Sequence, residues 1–266
     1  MQKNTFSFAG NIPEKYDRYL GPYLFEPFAQ NLVECIKDNP QNILEIACGT
    51  GRVTRNIMNK MISNSKLVAT DINPDMMALA KQRAHAPNVT WLQADAQQLP
   101  FEDATFDCVI CQFAIMFFPD KQKAFNEVFR VLKSGGQFLF STWDKIENNA
   151  TSHISHLTVK RLLQDQPAFY DIPFSMYHPG ELKILSHAAG FEKINIKKVT
   201  LTGHSPSAKD IAIGYTEGNP VVNEIMKVNP ELVETIKKEI AETINKQVSK
   251  DPVQAELSAW VGDAEK

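Results

Sequence analysis

The chain lacks the features that mark several protein classes. It carries 28 Lys and Arg against 31 Asp and Glu over 266 residues, a net charge of −3, and so has no basic footprint for nucleic acid. No run of about 18 apolar residues is present to span a bilayer. The N-terminal MQKNTFSFAGNIPEKY has no apolar signal core, which makes a cytoplasmic protein the expectation. There is no internal repeat and no low-complexity linker. Only four cysteines occur, Cys35, Cys48, Cys108 and Cys111. The last two form C-x-x-C, but within FDCVICQFAI, a strand-like run, a three-residue step sends their side chains to opposite faces. Buried thiols are expected there, not a metal or redox pair. His153 and His156, three apart on a helical pattern, have no nearby acid pair, so no metal site is expected.

The remaining composition, 43% hydrophobic and 22% charged, is that of an ordinary globular chain. Its length suits one α/β domain with insertions or two small domains. From residue 42 to 142, strand-length apolar runs alternate with helical patterns. The runs are Ile43–Ala47, Leu67–Thr70, Val89–Leu92, Cys108–Gln112 and Gln137–Thr142. Between them Val53, Ile57 and Met61 recur every four residues, as do Met76, Ala80 and Ala84. Ala124, Phe125, Val128, Phe129 and Leu132 form a further apolar face, which Gly135-Gly136 is expected to stop as a left-handed cap. This alternation predicts right-handed βαβ units and a parallel sheet covered on both faces. Upstream, Leu24, Phe25, Phe28, Leu32 and Ile36 stripe a helix after a lead-in containing Tyr16, Tyr19 and Tyr23. Downstream, residues 148–177 read as an insertion broken by Pro167 and Pro173. A helix then runs from Pro179 to Gly190, a strand over Phe191–Leu201, helices over 205–250 and a strand over Val253–Val261.

The chemistry concentrates in ILEIACGTGRVT, residues 43–54, followed by Asp71 at the end of the next apolar run. Glycines at 49 and 51 let backbone approach a ligand, and an acid at the tip of the following strand suits ribose hydroxyls. Read as a dinucleotide fingerprint the turn is incomplete, because Thr54 stands where the third glycine belongs. Glu45 discriminates further. An acid inside an apolar strand is costly to bury without a partner. That partner is either a buried Arg, such as Arg52 or Arg55, or a ligand amine. S-adenosylmethionine (SAM) brings an ammonium and a sulfonium, whereas a nicotinamide dinucleotide brings a pyrophosphate that an acid repels. Asp95, just past the third strand, is placed either to accept the exocyclic amine of adenine, with the Ala96 amide on a ring nitrogen, or to cap its own turn. Ile72 and Met76 are candidates to clamp the adenine faces, although a Met at helical spacing more often belongs to the core.

The ordered set E-x-A-C-G-T-G, D-I-N-P-D-M, D-A-x-x-L-P-F, F-D and L-K-S-G-G resembles the class I SAM-dependent methyltransferases, in the type 11, ubiquinone/menaquinone C-methyltransferase-like branch. The likeness covers roughly residues 40–145. It implies a Rossmann-like α/β fold: a seven-stranded, mostly parallel sheet with its last strand antiparallel and with helical lid insertions. It implies one methyltransferase domain over 1–266, with a SAM-binding core at 40–145 and lid or substrate segments at 1–39, 148–178 and 205–250. By position, Glu45 anchors the methionine amine, and Ala47, Cys48, Gly49 and Gly51, with Arg52 beyond them, wrap the aminoacid tail. Asp71 takes the ribose, Asp95 and Ala96 take adenine, and Gln112 and Phe113 face the methionine or methyl group. Tyr16 is placed as a lid residue over the cofactor. Ala47 departs from the glycine usual at its position.

Methyl transfer from a sulfonium is an in-line displacement, so alignment and exclusion of water suffice unless the nucleophile holds its proton tightly. Of six histidines, among them His85 and His187, His178 is the candidate base, against a bland role at a helix start. Phe6, Phe8, Tyr16, Tyr19, Tyr23, Phe113, Phe117, Phe118, Phe169, Tyr170, Phe174 and Tyr177 are candidates to line a pocket for an aromatic or lipophilic small-molecule acceptor, against simple packing. The expectation is a SAM-dependent methyltransferase acting on an O, N or C nucleophile, as a monomer or homodimer. A nicotinamide-dependent oxidoreductase and a catalytically inactive SAM-binding module are the alternatives.

Overall fold

In the computed structural model, residues 8–37, 39–60, 65–84, 88–164 and 169–266 are described. Phe6, Met61, His85 and Pro167 lie outside them. In chain order the elements are α1 (Ile12–Lys15), a π-helical stretch (Tyr16–Phe25), α2 (Glu26–Glu34), β1 (Asn42–Ile46), α3 (Arg52–Lys60), β2 (Lys66–Asp71) and α4 (Pro74–Ala84). Next come β3 (Val89–Gln93), β4 (Phe106–Gln112), α5 (Lys121–Val131), β5 (Leu132–Trp143), α6 (Ala150–Leu162) and α7 (Pro179–Ala189). Last are β6 (Lys193–Ser205), α8 (Ala208–Glu217), α9 (Val221–Val228), α10 (Leu232–Gln247) and β7 (Val253–Glu265).

The seven strands form one sheet in the order β3-β2-β1-β4-β5-β7-β6. β1 pairs in parallel with β2 and β4, β2 with β3, and β4 with β5, while β7 runs antiparallel to β5. The sheet class, the antiparallel final strand and the helices between β6 and β7 agree with the sequence reading. From β1 the chain winds outward to β3 and then returns to β4 on the other side of β1. Open α/β sheets bind ligands at such a switch, outside the carboxyl ends of the strands.

The chain divides into two compact units. One comprises Phe28–Asp144, Pro173–Val199 and Ala259–Lys266. On one side of its sheet Ala29, Leu32, Val33, Val53 and Ile57 pack with Ile43, Leu67, Cys108, Ile110 and Leu139, all buried. Cys108 belongs to this cluster and Cys111, equally buried, does not. Burial raises both thiols above their ordinary range. Phe125, Phe138, Phe140 and Phe191 form a second, aromatic cluster with ring centroids 4.8–5.9 Å apart.

The other unit comprises the described residues up to Pro27, with Lys145–Ile172 and Thr200–Ser258. Ile211, Ile225, Ile236, Ile240 and Ile244 are wholly buried in it. A hydroxyl chain runs through it, from Tyr23 to Thr151 (2.9 Å), on to Tyr215 (3.0 Å) and to Ser152 (2.7 Å). Burial pushes the Tyr215 phenol up to about 12, so these groups act as neutral hydrogen-bonding partners. The imidazole of His156 stacks on Tyr170, with centroids 5.2 Å apart.

Several local readings need correction. β1 stops at Ile46, because Ala47 turns to φ +53. The lead-in with Tyr16, Tyr19 and Tyr23 is itself helical, a π-helical stretch that accommodates Pro22 and runs into α2. α5 ends at Val131 because Leu132 is already extended. Gly135, at φ +76, lies inside β5 and caps nothing. Gly190 does cap α7, at φ +110.

Candidate functional site

The carboxyl end of β1 leads into a turn that only small residues can form. Ala47, Gly49 and Gly51 have φ of +53, +55 and +76. For Ala47 that conformation costs about 1–2 kcal/mol relative to an ordinary one. The turn is pinned by Cys48 N donating to Thr70 O (2.8 Å) and Gly51 N to Cys48 O (2.9 Å). At Gly51 an added Cβ would lie 3.0 Å from Ala80 Cβ and 3.5 Å from the Trp91 ring. The turn and α4 touch through that missing side chain. At Gly49 a Cβ would meet nothing within 4 Å, so the turn presents bare backbone on that side.

Two acids underlie this turn. Asp71, the last residue of β2, is 7% exposed. Its Oδ2 accepts from Gly49 N (2.7 Å) and its Oδ1 from Asn73 N (2.8 Å). Burial raises its pKa, and those backbone donors oppose the rise. Asn73, which sequence reasoning missed, then caps α4, its Oδ1 accepting from Asp75 N (2.9 Å) and Met76 N (3.2 Å). The signal was legible as Asn-Pro at a helix start.

Glu45 is 2% exposed; its side-chain hydrogen bond comes from Thr54, and the Arg55 charge also attracts it. The Thr54 hydroxyl, on the first turn of α3, donates to Glu45 Oε2 at 2.5 Å. Arg55 exerts a weaker pull and donates through Nη1 to Thr50 O at 2.9 Å. Burial pushes Glu45 up to about 8; the Thr54 hydroxyl opposes this and the Asp71 charge adds to it. Folding therefore favours protonated Glu45 wherever the unfolded chain has already lost that proton, between about pH 4.5 and 8. Its contribution to stability is present below that window and is lost as pH rises through it. We expect Glu45→Gln to remove this pH-dependent part, measured as urea unfolding of wild type and variant across pH 5–9 without ligand.

The other sequence-derived residues divide. Asp95 caps its own turn, its Oδ1 accepting from Gln97 N (2.8 Å) and Gln97 Nε2 (3.0 Å). Ala96 and Met76 are buried, whereas Ile72 is 64% exposed, beyond the tip of β2. Gln93 Nε2, at the end of β3, donates to Ile72 O at 3.0 Å and holds that loop. Arg52 begins α3 and is half-buried. Gln112, half-buried, ends β4 opposite Ser141. Phe113 has φ +50, and its ring is stacked flat on Trp143 with centroids 3.8 Å apart and edge-on to Phe28 at 5.3 Å. The side chain is committed to packing, which leaves its backbone as the part at the strand edge. Phe117 is 38% exposed. His178 precedes α7 with its ring against Tyr177, centroids 4.0 Å apart. Tyr16 belongs to the other unit, stacked on Phe25 at 4.8 Å. The structure thus brings together Glu45, the 47–51 turn, Thr54 and Asp71.

Comparisons with known proteins give the family and the fold. Residues 44–140 match the family model described as a methyltransferase domain. The ubiquinone/menaquinone biosynthesis C-methyltransferase UbiE of Cronobacter sakazakii is 31% identical over 175 residues, which cover 60% of this chain and 70% of that protein. Among solved structures, YcgJ of Bacillus subtilis superposes with a TM-score of 0.59 at 20% identity, over 90% of this chain and 98% of that one. Phosphoethanolamine N-methyltransferase 2 of Haemonchus contortus, in complex with S-adenosyl-L-methionine, gives a TM-score of 0.61 at 16% identity, over 100% of this chain and 61% of that one. Those two establish likeness of fold.

Proposed function

The chain belongs to the SAM-dependent methyltransferases, in the ubiquinone/menaquinone C-methyltransferase-like group, and from that premise we propose how its residues hold the donor and what they present it to. SAM supplies an electrophilic methyl on a sulfonium whose leaving group is a neutral thioether.

The observation that carries the binding assignment is the pair of acids, Glu45 and Asp71, beneath a turn whose Gly49 side is open. Such a donor set fits an ammonium and ribose hydroxyls. It does not fit a pyrophosphate, which would face two carboxyl groups in a low-dielectric setting. Glu45 takes the amine, the 47–51 backbone cradles the aminoacid tail with Arg52 behind it, and Asp71 takes the ribose. Backbone donors at Gly49, Ile72 and Asn73 fix the Asp71 carboxylate, whose two oxygens together offer about four acceptor sites, so that acceptor capacity remains for ribose. Exposed Ile72 lies against one adenine face with Met76 beneath it, and Asp95 and Ala96 meet the adenine edge. Gln112 and the Phe113 backbone border the methyl end.

The chemistry we assign to this chain is alignment. Fixing nucleophile, methyl and sulfur in line and excluding water contributes as much as ~7–11 kcal/mol. No residue at the turn is assigned a proton transfer to or from the acceptor, and His178, against Tyr177, is assigned no step. We propose a flat aromatic or lipophilic acceptor. Two things support it: the UbiE relative is named for ubiquinone and menaquinone biosynthesis, and Phe117 leaves an apolar face uncovered beyond β4. The segments at 1–39, 148–178 and 205–250 are proposed to carry the acceptor determinants.

The test is turnover of SAM with a panel of phenolic, quinol and amine acceptors, following S-adenosylhomocysteine release and the mass gain of one methyl. Methylation of aromatic or lipophilic members is expected. Binding of SAM with no acceptor turned over would favour an inactive binding module.

A further inference from the structure

Thr54 occupies the first turn of α3 and touches Glu45 twice, through its hydroxyl at 2.5 Å and through its backbone amide. Glu45 is 2% exposed and Thr54 wholly buried, so water is not the partner that settles this carboxyl group. A hydroxyl is a small side chain that serves both states of such an acid. It accepts a hydrogen bond from the carboxylic acid and donates one to the carboxylate, by rotation alone.

The groups facing Glu45 are uneven in sign. Asp71, at the tip of β2, repels its charge. Cys48 beyond β1 and Cys111 on β4 are thiols that burial keeps neutral, and each feels the Glu45 charge. Arg55 on α3 is the opposing cation, and its effect is the smallest of those acting on Glu45. A charged Glu45 thus has Arg55 as a weakly acting counter-ion, and the SAM ammonium would supply a closer one.

We propose that Thr54 is a positioning residue for the donor: its hydroxyl fixes the Glu45 carboxyl group, which burial keeps a carboxylic acid in the free protein, and stabilises the carboxylate once the aminoacid tail of SAM is bound, so that binding releases a proton. This rests on the reading above in which Glu45 meets the SAM amine. The balance is simple. Protonated Glu45 and the ammonium of SAM combine, the proton from Glu45 leaves to solvent, and a carboxylate–ammonium pair remains, with the Thr54 hydroxyl donating to the carboxylate. No bond in SAM breaks. S-adenosylhomocysteine, which has the same ammonium, is expected to release the same proton.

The experiment is calorimetric titration of the whole protein with S-adenosylhomocysteine in buffers of different ionisation enthalpy, from pH 6 to 9. At pH 7 we expect between about one half and one proton released per ligand bound, falling towards zero by pH 9. Glu45→Gln should bind more weakly and release none. Thr54→Val, which removes the hydroxyl and keeps shape and backbone, should weaken binding about 10- to 100-fold and move the proton-release profile to higher pH. Thr54→Ser should restore both. Binding with no proton release at any pH, or a Thr54→Val profile superposing on wild type, overturns the inference while leaving the SAM site intact. Absence of binding by the wild type overturns the proposed function itself.

Discussion

Asp71→Ala is expected to weaken SAM binding at least a hundredfold, because two charge-assisted hydrogen bonds to ribose are lost at ~1.5–3 kcal/mol each. The local geometry adds to that loss. Asp71 Oδ2 holds the amide of Gly49 and Oδ1 holds that of Asn73. Truncation therefore frees the glycine turn on one side and the start of α4 on the other. Asp71→Asn separates these roles, since its amide oxygen still accepts from part of the backbone donor set while the negative charge is gone. Its affinity should fall between wild type and alanine. Equilibrium binding of SAM, with circular dichroism to show that each variant is folded, checks both. An alanine variant that binds as wild type does would remove Asp71 from the site.

Gly51→Val is expected to cost folding stability by roughly 2–5 kcal/mol, from about 1–2 for a side chain at left-handed φ and about 1–3 for overpacking. The overpacking is specific, since even a Cβ would sit 3.0 Å from Ala80 Cβ and 3.3 Å from Ala80 Cα. Backbone of α4 cannot rotate away as a flexible side chain can. Gly49→Ala is the contrasting variant. Its φ is also left-handed, at +55, but its Cβ would meet no protein atom within 4 Å. It should lose about 1–2 kcal/mol of stability from strain alone, while SAM affinity falls further, because the methyl projects where the aminoacid tail is proposed to lie. Urea unfolding and SAM titration of the two variants test this. Equal stability losses would contradict the close approach of α4 at Gly51.

The βαβ frame was legible because strand-length apolar runs and apolar stripes every four residues are set by burial, and every apolar run from 42 to 142 became a strand. The acids were legible for a related reason: Glu45 conflicts with its apolar surroundings, and such conflict marks function. What escaped notice depends on contacts across the fold. Thr54 reads as a missing glycine until α3 is laid against β1, where it becomes the partner of Glu45. Phe113 reads as a ligand-facing residue until Trp143, thirty positions on, closes over its ring. Asp95 could be assigned to adenine or to its own turn, and the hydrogen bonds from Gln97 show that turn capping occupies at least one oxygen. Gly135 looked like a helix cap because glycine marks many kinds of bend, and only the extended Leu132 shows that α5 has already ended.

The most direct test of the central claim is calorimetric titration of the purified protein with SAM, S-adenosylhomocysteine and NAD in parallel. Saturable binding of the first two, with no heat from NAD beyond dilution, is the predicted result. Binding of NAD with silence from both adenosyl sulfur compounds would contradict it, and would make the 47–51 turn a dinucleotide site.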